Sequence, residues 1–204
     1  MPSRRYTELR ARVDDLKSRF IGIDMSFERD ATDHEKDLIA SFRLLVHAEV
    51  EMFIEDRVKG ALAEDARAWR ADHKLGKSLL NVLIEHLPAV AQDRKRVNNR
   101  DDLKRRVEDC LARAIKEVDE NNGIKRDTFL RLAFSAGILR DDVPEPLLTA
   151  LDGYGRHRGD VAHKGVGRVR SLNAPSAEGS MAIDLVTLLK DFDTLIGDGA
   201  EESR

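Results

Sequence analysis

The chain is poor in cysteine and has no long apolar run. Cys110 is the only cysteine among 204 residues, so the sequence predicts neither an intramolecular disulfide nor a cysteine-rich zinc site, which favours a reducing compartment. The N-terminal residues lack the apolar stretch of a secretory signal, and no segment approaches the ~20 apolar residues of a membrane span. These absences predict a cytoplasmic protein with no membrane partner.

Aromatic residues and excess positive charge are also scarce. Aromatic side chains make up 5% of the sequence, too few for a platform on which nucleic-acid bases stack. The formal net charge of -3 argues against coating nucleic acid by bulk electrostatics, but it permits a local basic site. Charged residues make up 36%, which is typical of solvated helices around an aliphatic core. The length supports one well-buried domain.

Apolar residues recur at helical spacing, and no strand-like alternation extends over a useful length. Pro88 is expected to end one helix and Ser180 to cap another. The predicted helices cover Ser3–Phe20, a long helix opened by a capping box at Thr32 and continuing towards Trp69, Lys77–Leu87, Arg100–Asp119, Arg126–Ala136, Pro144–His163 and Ser180–Ile196. We therefore expect an all-α bundle. An N-terminal helix and connection would occupy residues 1–30, the helical domain 31–197 and a disordered tail 198–204.

The most informative segment begins at Arg156 and reads Arg-His-Arg-Gly-Asp-Val-Ala-His-Lys-Gly. Arginine carries a permanent, forked charge that matches phosphate, and histidine exchanges protons near neutral pH. On an unbroken helix, Arg156, Asp160 and His163 share one face, whereas Arg158 points elsewhere. Gly165 predicts a helix end near His163, and unwinding of the last turn would bring Arg158 within reach. The segment indicates metal-free phosphate chemistry; an ordinary charged helix end is the alternative.

This spacing resembles the signature of the HEPN superfamily, helical-bundle proteins that include many metal-independent ribonucleases of toxin–antitoxin and antiviral systems. The resemblance covers about residues 38–196 and is to the RiboL-PSP and MAE branches. Its other elements are Leu45–Glu51 followed by Phe53, Asn122–Lys125 leading to Phe129–Leu130 and Gly137–Ile138, and Arg158–His163. It implies a HEPN-like helical bundle with a long central helix and additional short helices.

The resemblance assigns the catalytic pair to Arg158 and His163, with Arg156 kept open as the arginine. It implies a metal-independent endoribonuclease without a cofactor, which cleaves RNA through the 2′-hydroxyl to a 2′,3′-cyclic phosphate and leaves DNA intact. Because one chain offers one obvious histidine of this kind, a twofold homodimer would supply base, acid and positive charge around one cleft. Its setting would be a toxin–antitoxin or phage-defence system, with an antitoxin or defence-system protein as partner.

One departure from the family pattern concerns regulation. HEPN toxins paired with nucleotidyltransferase antitoxins usually carry a tyrosine two residues after the histidine, and that tyrosine is adenylylated. Gly165 occupies this position. Control by tyrosine modification is therefore not expected.

Further residues are candidates for supporting roles. His157 is a possible second proton carrier or phosphate contact, and Lys164 a possible phosphate contact; both also fit an ordinary helix surface. The supporting set is Arg156, His157, Asp160, Lys164, His47 and Glu51. In the long helix, Arg43, His47, Glu51 and Glu55 line one face. This row either orients Arg158 or His163 at the dimer cleft or forms a salt-bridged exposed surface. His47 and Glu51 have metal-ligand spacing without an apparent third ligand, so no metal site is expected.

A basic cluster precedes and opens the fourth predicted helix. It consists of Arg94, Lys95, Arg96, Arg100, Lys104 and Arg105. The cluster is a candidate for guiding RNA to the cleft, and a solvated helix flank is the alternative interpretation. Two other classes of function remain open: a non-catalytic HEPN module that binds RNA or protein, and an antitoxin-like or scaffolding helical protein.

Overall fold

The computed structural model describes the backbone of residues 1–22, 32–92, 99–164 and 173–197, and the side chains of these residues except 92 and 157–164. Over these ranges the chain forms seven α-helices and one short 3-10 turn, with no strand. The helices are α1 (Arg4–Phe20), α2 (Asp33–Asp72), α3 (Lys77–Gln92), α4 (Arg100–Asp119), α5 (Arg126–Ser135), α6 (Glu145–Lys164) and α7 (Pro175–Ile196), and the 3-10 turn is Arg140–Asp142. The prediction of an all-α fold is confirmed.

Helix α2 is the central element of the fold. Its 40 residues span roughly 60 Å at 1.5 Å per residue. The predicted capping box opens it: the Thr32 hydroxyl accepts from the backbone N–H of Glu35, and the Glu35 carboxylate accepts from the backbone N–H of Thr32 at 2.7 Å. The helix ends at Asp72, and the capping residue His73 adopts a left-handed conformation with φ of 58°. It is long enough for different helices to pack on its two halves.

Pairs of contacts set the direction of the flanking helices. Helix α1 packs along the first two-thirds of α2, where Arg12 lies 2.9 Å from Glu49 and Arg5 lies 3.2 Å from Asp56. Since the partner number rises as the α1 number falls, α1 runs antiparallel to α2. On the C-terminal half, Lys59 pairs with Asp119 and Arg70 with Glu108, each at 2.6 Å. Helix α4 is therefore also antiparallel to α2.

Helix α7 runs parallel to α2 along residues 43–57 of α2. Arg43 pairs with Glu178, and fourteen residues later Arg57 lies 2.9 Å from Asp193, fifteen residues beyond Glu178. The side chains of all four are at most 1% exposed. Edge-to-face ring contacts join the apolar core here, with centroids 6.3, 6.5 and 5.0 Å apart for the pairs Tyr6–Phe53, Phe53–Phe192 and Phe129–Phe192.

Two predicted helix ends are wrong. Helix α3 continues past Pro88 to Gln92, although proline has no N–H to donate to the preceding turn. Val90, which is 3% exposed, packs in the core and stabilises this last turn. Helix α7 begins at Pro175, whose fixed φ suits a first helical turn, so that Ser180 lies inside the helix instead of capping it. The predicted connection after α1 and the tail lie largely outside the described residues.

Helix α6 carries the arginine–histidine segment and is rooted in the core. Leu147, Leu148 and Leu151 are fully buried, and Tyr154 is 2% exposed. The helix packs against α2, α7 and α5, and the Asp152 carboxylate accepts from the backbone N–H of Arg126 at 2.9 Å. In the described part of the chain, no helix is both long and apolar enough to cross a membrane.

Candidate functional site

The arginine–histidine segment lies within one helix. Helix α6 is assigned through Lys164, which confirms the prediction that the helix reaches His163. At about 100° per residue, positions 156 and 163 return to nearly the same side of the axis, whereas position 158 lies about 140° away from position 163. The backbone therefore favours Arg156 over Arg158 as the arginine on the side of His163.

The described side chains of this segment end at Arg156. The Arg156 side chain is exposed, and its Nε donates to the Asp152 carbonyl one turn earlier at 3.3 Å. The side chains of five candidates lie outside the described part of the chain: His157, Arg158, Asp160, His163 and Lys164. Their roles stay predictions.

The polar row on α2 is not an exposed surface. Arg43 is fully buried and His47 is 2% exposed, so the exposed-face interpretation is wrong for these two residues. They lie one helical turn apart on α2, and Arg43 reaches α7 through its ion pair with Glu178. A buried guanidinium requires an acidic partner because desolvating an unpaired charge is costly.

Glu178 of α7 provides that acidic partner. Its carboxylate accepts from Arg43 Nε at 3.2 Å and from Arg43 Nη2, and it also accepts from the backbone N–H of Asn173 at 3.2 Å. Tyr154 of α6 is buried near this ion pair. Burial raises the pKa of the Tyr154 hydroxyl, and the charge of Glu178 raises it further while Arg43 opposes the rise. We call Arg43, His47, Tyr154 and Glu178 the inner polar cluster.

The last two residues of the same row, Glu51 and Glu55, bind a turn that precedes α5 and is bonded to α6. The Glu51 carboxylate accepts from the backbone N–H of Gly123, and the Glu55 carboxylate accepts from Asn121 Nδ2 at 2.8 Å. Gly123 has a φ of 125°, a conformation that glycine adopts at low cost. The turn continues to Arg126, whose backbone N–H is bound by Asp152. The row is therefore connected through this turn to the root of the arginine–histidine helix.

His47 and Glu51 do not form a recognisable metal site. His47 Nδ1 lies 3.7 Å from Glu51 Oε2, a distance that suits an ion pair once the imidazole is protonated. Across the described residues, no group of three or more metal-ligating side chains is found. The arrangement instead fits a supporting role, in which buried side chains hold the helices in position.

The structure does not bring the described part of the basic cluster, Arg100, Lys104 and Arg105, to this site. Arg100, Lys104 and Arg105 are exposed on the first turns of α4, while Arg94, Lys95 and Arg96 lie outside the described residues. Glu108, further along α4, pairs with Arg70 near the end of α2. From His47 to Arg70 the axis of α2 rises by roughly 35 Å. The exposed basic residues of α4 therefore lie far from the inner polar cluster.

The sequence prediction did not include Glu178, Asp193 or Tyr154. The two acidic residues lie in register with Ala182, Leu185, Val186 and Leu189, the core-facing residues of α7. An acidic residue on an apolar helix face indicates a buried partner, and Arg43 and Arg57 are spaced to match on α2. The matched spacing of acidic residues on α7 and arginines on α2 could therefore have predicted these two buried ion pairs from the sequence.

Comparison with protein-family models, with curated proteins and with solved structures finds no match for this chain. The all-α architecture and the long central helix agree with the expected fold class. The resemblance to the HEPN superfamily therefore rests on the residues of the sequence alone.

Proposed function

We propose that this protein is a metal-independent endoribonuclease of the HEPN type that acts as a homodimer. The observation that best supports the proposal is that α6 carries the whole segment from Arg156 to Lys164 and is rooted beside the inner polar cluster. A reacting group needs a rigid support to hold its geometry. Three fully buried leucines and Tyr154 provide such a support for the first half of α6.

In the proposed mechanism, the two His163 side chains of a dimer divide the proton transfers. One removes the proton of the RNA 2′-hydroxyl, and the other protonates the leaving 5′-oxygen. Arg158, or Arg156 as the alternative, stabilises the negative charge on the non-bridging oxygens of the pentacoordinate phosphorane. Products carry a 2′,3′-cyclic phosphate, and DNA, which lacks the 2′-hydroxyl, is not cleaved. No cofactor takes part.

The polar row on α2 would act by positioning. Arg43 and Glu178 join α2 to α7, and Glu51 holds the turn that is bonded to α6. His47 lies between these two contacts along α2. We assign His47 and Glu51 a supporting role, with no direct contact to RNA.

The test is cleavage of total RNA and of matched DNA by the purified protein in the presence of a chelator, with analysis of the product ends. His163→Ala is expected to lower the RNA cleavage rate by about 10²–10⁴-fold, the usual contribution of general acid–base catalysis. His34→Ala, at an exposed position in the first turn of α2, is the matched control and should cleave like the wild type. Arg156→Ala and Arg158→Ala, each compared with the exposed Arg10→Ala, identify the arginine.

Two results would contradict the proposal. One is cleavage that survives His163→Ala at the wild-type rate, and the other is cleavage that the chelator abolishes. A folded wild-type protein that binds RNA or a protein partner without cleaving any substrate would favour the non-catalytic HEPN module. Resemblance alone extends the proposal to a toxin or phage-defence role, with an antitoxin or defence-system protein as partner.

A further inference from the structure

Helix α3 has two apolar faces, one buried in the core and one exposed. Its inner face packs in the core through Leu79, Val82 and Val90, and Asn81 Nδ2 donates to the Phe134 carbonyl of α5 at 2.8 Å. These contacts set the rotation of the helix. Its outer face is therefore held away from the core.

The outer face carries an apolar stripe without a partner in the described part of the chain. Leu80 is 45% exposed, Ile84 61% and Leu87 38%, and exposed Ala91 follows at the same helical spacing. The stripe is about 16 Å long at 1.5 Å per residue. We define these four residues as the α3 stripe. An exposed run of this kind on a folded domain indicates an interaction surface.

Charge distinguishes among the possible occupants. Within α3, Lys77 and Glu85 are the only exposed side chains with a full charge. Helices that lie on anionic membranes carry several lysines or arginines on their polar face, which α3 lacks. A strongly charged protein partner would also find no complementary charge within the stripe. The composition favours an equally uncharged apolar surface.

A second copy of α3 provides such a surface without a charge conflict. In an antiparallel twofold arrangement centred on Ile84, the two Ile84 side chains meet, and Leu80 lies opposite residue 88 of the second copy. Lys77 then faces the last turn of the other helix near its residue 91, where the helix dipole is negative. Glu85 lies opposite residue 83, which is leucine. Among the side chains of α3 itself, no pair of like charges is brought together.

We infer that two copies of this protein associate through the α3 stripes in an antiparallel, twofold contact centred on Ile84. The inference does not depend on the proposed ribonuclease function, because α3 packs mainly on α2, α4 and α5 and the arginine–histidine segment lies on α6. The contact involves α3, whereas the proposed cleavage requires a dimer around the arginine–histidine segment of α6. A single stripe is small beside a standard interface, so the association is expected to depend on protein concentration.

The experiment is sedimentation velocity over a concentration series with charge-swapped variants. Ile84→Glu and Ile84→Lys should each weaken this association by at least about tenfold, because like charges then meet at the twofold axis. An equimolar mixture of the two variants should restore it. Leu139→Glu and Leu139→Lys, at a residue that is 53% exposed in the loop before α6, are the matched controls and should associate like the wild type.

Cross-linking gives a second test at the same position. Ile84→Cys should form a covalent dimer with a short bis-maleimide, with little background because Cys110 is fully buried; Leu139→Cys should not. The inference is overturned if both Ile84 charge variants associate like the wild type, or if mixing them restores nothing. It is also overturned if the wild type stays monomeric and sediments with phosphatidylcholine–phosphatidylglycerol vesicles in an Ile84-dependent way.

Discussion

Replacing Asp193 by asparagine should strongly destabilise the fold. The Asp193 carboxylate accepts from the backbone N–H of Ser3 at 2.7 Å and from the Ser3 hydroxyl at 2.6 Å, and it lies 2.9 Å from Arg57 Nε. All three residues are at most 2% exposed. One carboxylate therefore joins the start of α1, the middle of α2 and the end of α7. Asparagine keeps the shape and removes the charge.

The magnitude follows from the burial of Arg57. Its Nη2 donates to the Gly197 carbonyl at 2.6 Å, but a carbonyl does not neutralise the guanidinium. Breaking a buried ion pair by removing one partner costs about 3–5 kcal/mol in unfolding free energy. In a domain of this size, each kcal/mol lowers the melting temperature by about 2–4 °C, so a drop of roughly 10 °C is expected.

The assay is urea denaturation followed by far-ultraviolet circular dichroism. Asp191→Asn is the matched control: Asp191 lies on the same helix two residues earlier and is exposed, so this variant should change the unfolding free energy by less than about 0.5 kcal/mol. The double variant Arg57→Met/Asp193→Asn should recover most of the loss, because no unpaired charge remains and the asparagine side-chain oxygen still accepts from Ser3. If Asp193→Asn unfolds at the same urea concentration as Asp191→Asn, the reasoning about the buried pair is wrong.

Three further predictions concern buried or constrained residues. Gly123→Ala should lower the unfolding free energy by about 1–3 kcal/mol, because alanine is strained at a φ of 125°. Gly153→Ala, at an uncrowded helical position, should instead raise the unfolding free energy by up to about 1 kcal/mol. Urea titration of both variants tests this contrast, and equal effects of the two substitutions would refute it. Tyr154→Phe should cost no stability by the same measurement, because the buried hydroxyl has no hydrogen-bond partner in the described part of the chain; a clear loss would indicate a missed partner. Burial raises the pKa of the Cys110 thiol, so a disulfide reagent should modify this thiol only after the protein unfolds, and rapid modification of the native protein would contradict the prediction. The stability linked to the raised pKa should be complete below the ordinary thiol pKa. It should decline as the pH rises towards the pKa of the folded state.

The helix pattern could be predicted from sequence because its signals are local. The capping box at Thr32 predicted a helix start that the structure has. The end of α3 was predicted wrongly because Pro88 breaks one hydrogen bond locally, while burial of Val90 is decided by neighbouring helices. The start of α7 was misplaced because both Pro175 and Ser180 fit the first turn of a helix.

The candidate site was only partly predictable, for a related reason. The arginine–histidine spacing and the polar row on α2 are visible in a linear pattern. Burial of Arg43 is not, because it depends on Glu178, which lies 135 residues away. The distance of Arg100, Lys104 and Arg105 from the inner polar cluster likewise follows from the antiparallel packing of α4 on the C-terminal half of α2.

The sequence by itself therefore determined the all-α class, most helix ends and the placement of Arg156, Arg158 and His163 on one helix, since periodicity, capping and proline or glycine signals act within a few residues. Only the tertiary structure decided which charges are buried, which helices share the core with α6 and which apolar face of α3 stays exposed. These properties depend on contacts between residues distant in the chain, and the energy of a charge or an apolar side chain is set by what surrounds it after folding.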